Sequence, residues 1–428
     1  MLVDGRPESI QVLFAFLVAA VVAWLLVPLT ERIARRIGAI DVPRERSLHV
    51  TPTPKLGGLA ILGGVLVSGL LWLQGGDQTA AILAGATVIA AFGVLDDVFE
   101  LGVVPKLAGQ VIAAVIAVQA GVKAGAFTLP FAGRLEPGSV NLFDAPLVGE
   151  VDIAFILTVI GIVAVVNVIN FIDGMDGLAA GVCVISGTTL AIIAVSLDRP
   201  GAAVLAALTA GAALGFLRHG FPPASSFMGD TGSNLLGFLL ACVAIQGALK
   251  TNAVVALFFP LVVLAIPILD SSFVIAKRLK YRQPIYRADT WHFHHRMAAI
   301  GFSQRRTLAY LYGWAIVLAG LALALRFVPY SDDHGNFDVA WTAVILLCGV
   351  AALAASVYLV FVLEILKLRR FRVRNLGQAG VVLPEEEIDR GGERELQTGT
   401  FEAVDPGTGE MRTIDPDTGE VDARPPED

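Results

Sequence analysis

Apolar residues fall in long, nearly unbroken blocks separated by short polar stretches. About eleven such blocks run at 10–29, 56–74, 79–95, 106–122, 151–167, 178–196, 201–217, 235–247, 254–276, 307–328 and 338–363. A helix crossing a bilayer needs about 20 mostly apolar residues. The pattern therefore predicts an all-α, polytopic membrane protein with about 11 transmembrane helices. The eighth block is short and must borrow flanking residues to cross. The ninth contains Pro260, Pro267 and Asp270, so it is expected to kink or to run beyond the bilayer. Between the fourth and fifth blocks, Pro130, Gly133, Pro137 and Gly138 predict an external hairpin or loop over residues 123–150.

Basic residues orient these blocks. Arg32, Arg35, Arg36, Arg44, Arg46 and Lys55 follow the first. Lys277, Arg278, Lys280, Arg282, Arg287, Arg296, Arg305 and Arg306 follow the ninth, and Lys367, Arg369, Arg370, Arg372 and Arg374 follow the last. Loops of the other parity hold Lys123, Arg134, Arg199 and Lys250. The bias places the N-terminus outside and the C-terminus in the cytoplasm.

Composition sharpens the class. The chain is 55% hydrophobic and 16% charged, with mean hydropathy +0.72. Soluble domains are roughly 45–50% apolar and about 25% charged. The formal charge of −7 is concentrated at one end: from Asn375 to Asp428 there are 15 acidic and 4 basic residues. That separates a membrane domain, 1–375, from an acidic cytoplasmic tail, 376–428. The tail carries a near-repeat, Asp405–Glu410 and Asp415–Glu420, and its low hydrophobicity predicts disorder. Cys183, Cys242 and Cys348 all lie in apolar blocks and read as packing residues. The first block lacks a basic n-region and reads as a retained helix rather than a cleaved leader. No nucleic-acid partner is expected.

Five polar clusters sit at block ends, and the orientation above puts all five on the cytoplasmic side. They are His49–Gly58, Asp96-Asp97, Asn167–Gly177, Phe227–Asn234 and His292–Arg296. Asp96 and Asp97 close the third block. Two adjacent carboxylates can hold a divalent cation or accept a proton, or simply cap a helix at the interface. Asn167, Asn170, Asp173 and Asp176 recur every three residues, a spacing that makes helical neighbours. Their amide and carboxylate oxygens suit a hard cation such as Mg²⁺, with Mn²⁺ as a substitute. A stripe satisfied by neighbouring helices is the plain alternative. Asp230, between Gly229 and Thr231-Gly232-Ser233, suits phosphate near a helix start or an N-cap of the eighth helix. His292, His294, His295 and Arg296 supply donors suited to a diphosphate.

In this order and topology, the clusters resemble the polyprenyl-phosphate N-acetylhexosamine-1-phosphate transferase family. The stretches HVTPTPKLGG and HFHHR, the latter followed by Gly301-Phe302-Ser303-Gln304-Arg305, resemble the WecA/TagO branch rather than MraY. The resemblance covers roughly residues 10–325. It implies transfer of GlcNAc-1-phosphate from UDP-GlcNAc to undecaprenyl or decaprenyl phosphate, with UMP released at the cytoplasmic face of a bacterial inner membrane.

The same resemblance implies roles. Asp96, Asp97, Asp173 and Asp176 are expected in catalysis, with Asp96 as base or orienter of the lipid phosphate. Asn170 and Asp230 are expected on magnesium. Lys55, Asn167, His292, His294, His295 and Arg296 are expected on substrate. A homodimer is compatible with the family. Direct attack by the lipid phosphate is expected over a covalent aspartyl-phosphate, because a phosphate monoester is already largely anionic near neutral pH. The competing class is a secondary transporter, which Asp270 suits. Transporter sites, however, lie near the bilayer midplane, and these clusters gather at one edge.

Overall fold

In the computed structural model of this chain, the described residues are 2–3, 6–42, 52–123, 127–129, 133–135, 137–145, 149–248, 268–269, 272, 275, 303–329, 338–354, 356–357, 401–404 and 411–414. The chain divides into two compact units, Met1–Ser271 with Leu308–Gly349, and Ser272–Thr307 with Val350–Asp428. The described helices are α1 (Glu8–Ile37), α2 (Gly57–Trp72), α3 (Asp77–Phe99), α4 (Val103–Gln119), α5 (Ile153–Ile172), α6 (Leu178–Ser196), α7 (Pro200–Gly220), α8 (Gly229–Ala248), α9 (Gln304–Phe327) and α10 (Val339–Ala354). Six of them, α1, α3, α5, α6, α7 and α9, are long and apolar enough to cross a membrane. The shorter α2, α4 and α10 are also apolar. The chain is a polytopic membrane protein.

The first unit is built around α8. Helices α3 and α5 pack along it, and α2, α4, α6 and α7 also touch it. Every residue from Thr231 to Val243 is buried. By contrast, α1 buries only a stripe, Gln11, Ala15, Ala19, Ala23, Val27, Thr30 and Ala34, at the three- and four-residue spacing of one helical face. Its Leu13, Leu17, Val21, Trp24 and Leu25 face outward, as a lipid-bathed surface allows.

Small residues let the helices around α8 close up. A methyl at Gly93 on α3 would fall 2.4 Å from Thr231 Cα, and one at Gly58 on α2 would fall 2.2 Å from the Gly232 nitrogen. Both contacts lie at the start of α8, which α2 and α3 therefore meet backbone to backbone.

At three places a helix runs past its apolar block into a polar cluster. α3 runs four residues past its block and includes Asp96 and Asp97, ending at Glu100 in a left-handed conformation (φ 49°). α5 continues through Asn167 and Asn170 to Ile172. α8 begins at Gly229, so the Asp230–Asn234 stretch is its first turn rather than a loop. Hydropathy marks where lipid begins, but backbone hydrogen bonding carries a helix on into polar sequence.

The ninth apolar block lies almost wholly outside the described residues. Two small antiparallel hairpins connect α4 to α5, Phe127–Leu129 with Gly133–Leu135 and Asn141–Ala145 with Gly149–Asp152. The connection is pinned where it meets the helices. Asp152 caps α5 by accepting the Phe155 N–H at 2.6 Å, and it also meets the Lys123 ammonium. Burial pushes the Asp152 carboxyl up, but Lys123 and the Phe155 N–H outweigh it and hold the group below the usual carboxylate range. In the second unit, within the tail expected to be disordered, Phe401–Val404 pairs antiparallel with Met411–Ile414. The six residues between these strands in the sequence are the first copy of the Asp-Pro near-repeat.

Candidate active site

The site begins where the end of α3 meets the start of α8. Asp97 turns its carboxylate onto the exposed N–H groups of α8. Its Oδ1 accepts the Asp230 N–H at 2.9 Å, and its Oδ2 accepts the Thr231 N–H at 3.1 Å and the Thr231 hydroxyl at 2.6 Å. A helix start offers unpaired donors and a positive dipole end, so a carboxylate is well placed there. The cap expected from Asp230 is thus supplied by a different helix. Gly229 makes room for it with φ +65°, since a methyl there would sit 2.3 Å from Asp97 Oδ2 and 2.4 Å from the Lys55 carbonyl oxygen.

The segment leading into α2 zips onto the segment leading into α8. Phe227 N–H donates to the Pro54 carbonyl at 2.8 Å, and Gly57 and Gly58 donate to the Phe227 and Met228 carbonyls at 2.9 and 3.0 Å. Lys55 therefore lies beside Gly229, with its own N–H held by the Ala39 carbonyl at 3.0 Å.

Asp230 joins two further helices. Its Oδ1 accepts the Asn170 side-chain amide at 2.6 Å, and that amide also donates to Ser233 Oγ at 2.9 Å. Its Oδ2 lies 2.9 Å from Lys106 Nζ, at the head of α4. The same ammonium lies 2.5 Å from Asp96 Oδ2, while Asp96 Oδ1 accepts the Leu101 N–H at 2.8 Å. Asp96 and Asp97 are 4% and 7% exposed, so both carboxylates depend on these partners in place of water.

Asp173 ends α5, and its N–H reaches the Asn170 carbonyl at 3.1 Å. The regular three-residue stripe stops there: Asn167 and Asn170 are helical, whereas Asp173 and Asp176 occupy the turn into α6, which Gly177 starts with φ +76°. Burial pushes the Asp173 carboxyl well above its usual range, and repulsion from Asp230, Asp97 and Asp176 adds to the shift. Asp176 Oδ2 accepts the Ala224 N–H at 3.1 Å from the α7–α8 connection. Tyr312 of α9 steadies the turn by donating its hydroxyl to the Gly177 carbonyl at 2.6 Å.

Asn167 faces a different partner from the one its spacing suggested. Its amide donates to Gln110 Oε1 at 2.7 Å and to the Val163 carbonyl at 2.8 Å, one turn away from the carboxylates. His292, His294, His295 and Arg296 lie outside the described residues. The sequence reading missed Lys106 and Gln110. The signal for Lys106 was a cation at the head of an apolar block, which is costly in a bilayer and marks function. It also stands on the same side as Asp96-Asp97.

Asp96, Asp97, Asp173, Asp176 and Asp230 thus gather with the Lys106 ammonium and the Asn170 amide. Carboxylate and amide oxygens are the donors a hard divalent cation takes. Among the described residues, no group of three or more His, Cys, Asp or Glu side chains is arranged to hold a metal. That donor set fits magnesium, which uses one or two carboxylates and completes its shell with water and phosphate oxygens.

Residues 79–248 match glycosyl transferase family 4. A probable undecaprenyl-phosphate N-acetylglucosaminyl 1-phosphate transferase from Bacillus subtilis is 35% identical over 324 residues, 74% of this chain and 86% of its own length. The chain belongs to the polyprenyl-phosphate N-acetylhexosamine-1-phosphate transferase family. A decaprenyl-phosphate N-acetylglucosaminephosphotransferase from Mycobacterium leprae is 34% identical over 73% of this chain and 83% of its own length. A phospho-N-acetylmuramoyl-pentapeptide-transferase from Desulforudis audaxviator is 30% identical over 74% of this chain and 98% of its own length. The span matching this transferase family begins in α3 and closes with α8. It therefore contains the whole Asp96–Lys106–Asp230–Asn170 cluster.

Proposed function

We propose that this chain transfers GlcNAc-1-phosphate from UDP-GlcNAc to undecaprenyl or decaprenyl phosphate, giving polyprenyl-diphosphate-GlcNAc and UMP. The observation that carries the reading is the meeting of Asp96, Lys106, Asn170 and Asp230 at the ends of four helices, under a helix start capped by Asp97. Relatives named for GlcNAc-1-phosphate transfer to undecaprenyl and decaprenyl phosphate support the choice of sugar and lipid. About eleven crossings, with the N-terminus outside and the C-terminus inside, put this cluster at the cytoplasmic face of a bacterial inner membrane.

The chemistry follows from charge. Both substrates are phosphates, and a site holding five carboxylates repels them unless cations intervene. Asp230 and Asn170 would hold magnesium, which when bound offsets the charge of the diphosphate and of the departing UMP. Lys106 supplies a fixed ammonium between Asp96 and Asp230. Lys55 and the basic loop at His292, His294, His295 and Arg296 add donors for phosphate oxygens. Asp96 orients the lipid phosphate against Lys106, and Asp173 and Asp176 face the nucleotide. An oxygen of the lipid phosphate bonds to the β-phosphorus. The bond from that phosphorus to the bridging oxygen breaks, and UMP leaves with the electron pair. No proton need be removed from a phosphate that is already ionised, so Asp96 acts by position rather than as an obligatory base.

The test is UMP release by purified protein in detergent, with the glycolipid product extracted and identified. Release that requires both polyprenyl phosphate and Mg²⁺, and stops with EDTA, is the expected result. UDP-GalNAc and UDP-MurNAc-pentapeptide in competition check the sugar. No release with any of the three donors would end the transferase reading.

A further inference from the structure

Two polar layers are stacked across α4, α5 and α8. The upper one joins Lys106, Asp230 and Asn170, at 2.9 and 2.6 Å. The lower one joins Asn167 to Gln110 Oε1 at 2.7 Å, and Gln110 Nε2 to Asn234 Oδ1 at 3.5 Å. Each lower residue is one helical turn from an upper residue on its own helix. Gln110 follows Lys106 by four, Asn234 follows Asp230 by four, and Asn167 precedes Asn170 by three. Residues at these spacings share a face. Any rotation of a helix that disturbs the lower layer disturbs the upper one as well.

Buried amides are a costly choice here. Gln110 and Asn234 are 5% and 6% exposed, inside an otherwise apolar bundle. Apolar side chains would fill the same space, but their attraction is non-directional. Hydrogen bonds prefer near-linear geometry, so amides define an angle as well as a distance. The helix these amides orient is α4. It packs chiefly on α3 and α5 and touches α8 only lightly. Gly109 fixes its separation from α3, because a methyl there would fall 2.3 Å from the Phe92 ring. Side-chain hydrogen bonds from Lys106 and Gln110 reach across to α8.

We infer that Gln110 is a positioning residue for the transferase reaction. Its side-chain amide ties α4 to Asn167 of α5 and Asn234 of α8, and so holds α4 at the rotation that lets Lys106 reach Asp96 and Asp230 together. Gln110 acts through Lys106 and touches no substrate. The inference rests on the transferase reading for its assay but not for its geometry.

The test is a double-mutant cycle with Gln110→Met and Lys106→Gln, read on single-turnover UMP release with enzyme in excess. In the parent, Gln110→Met should cost about 10- to 100-fold, the range for a displaced supporting partner. In the Lys106→Gln background the same change should cost less than about twofold, because the group it positions is gone. An equal cost in both backgrounds would overturn the inference, leaving Gln110 as packing alone. If Gln110→Met does not fold, Asn234→Leu removes the other end of the same bond and carries the cycle. Thermal midpoints give a second reading that needs no activity, and coupling between positions 110 and 106 is expected there too. Additive midpoint shifts refute the positioning role, whereas an inactive parent with coupled midpoints refutes only the transferase reading.

Discussion

Asp97 of α3 accepts the backbone N–H of Asp230 at 2.9 Å and so fixes the first turn of α8. The residue that orients the proposed metal ligand is therefore itself a carboxylate, held by two backbone donors and the Thr231 hydroxyl. Asp97→Asn keeps the shape but offers one acceptor oxygen where two are used. Loss of an N-cap costs about 0.5–2 kcal/mol. The expected outcome is a lower thermal midpoint in detergent, with turnover falling much further than stability because Asp230 moves with the turn. A variant that unfolds at the parent's temperature and turns over normally would contradict this account of the cap.

Gly229 is under a double constraint, with φ +65° and a methyl-sized gap already filled by Asp97 and Lys55. Gly229→Ala should destabilise by more than the roughly 1 kcal/mol of the backbone penalty alone, since Asp97 must also be pushed aside. Melting curves of the variant with and without Asp97→Ala separate the two contributions. Removing the Asp97 side chain should recover part of the loss.

Lys106 stands between Asp96 and Asp230 at 2.5 and 2.9 Å. Lys106→Met removes the ammonium and keeps most of the stem. The expected loss in kcat/KM is about 100-fold or more, the scale for deleting one preorganised electrostatic contact. Lys106→Arg should recover only part, because a planar guanidinium does not bridge two carboxylates as a point charge does. Steady-state kinetics on purified protein, with melting curves as the control for folding, decide it.

The raised Asp173 pKa fixes a pH dependence for the metal-free protein. The folded state binds this proton more tightly than the unfolded chain, whose Asp titrates near pH 4. Ionising Asp173 therefore costs stability, and the cost grows as pH rises from about 4 toward the raised folded value. In EDTA the parent should lose thermal stability over that rise relative to Asp173→Asn. At pH 7–8 the variant should melt a few degrees higher, even though it is expected to be inactive. Added Mg²⁺ should stabilise the parent more than the variant. Parallel melting curves for the two proteins across pH would remove the electrostatic strain assigned to this cluster.

Much of the membrane architecture could be read directly from the chain. Apolar blocks correspond to α1 through α7 and α9, because whether a segment can sit in lipid depends on its own side chains. The polar clusters were equally visible, since acids and amides at block ends stand out against an apolar background. Helix ends were not, because α3, α5 and α8 continue past their apolar residues into the clusters. Asn167 shows the limit for single residues. Its spacing aligned it with Asn170 and Asp173, yet its amide turns to Gln110, a partner 57 positions away that no local pattern marks.

What the sequence determined by itself was solvent and chemistry: which segments go into lipid, and which residue types stand ready at their edges. These are properties of residues taken singly or in short windows. What only the tertiary structure decided was partnership. Asp97 caps a helix 133 residues away, and Lys106 finds Asp230 at a separation of 124. Those pairings depend on how each helix is rotated about its axis. That rotation is set by glycine contacts and buried amides between helices, so it exists only once the helices have packed.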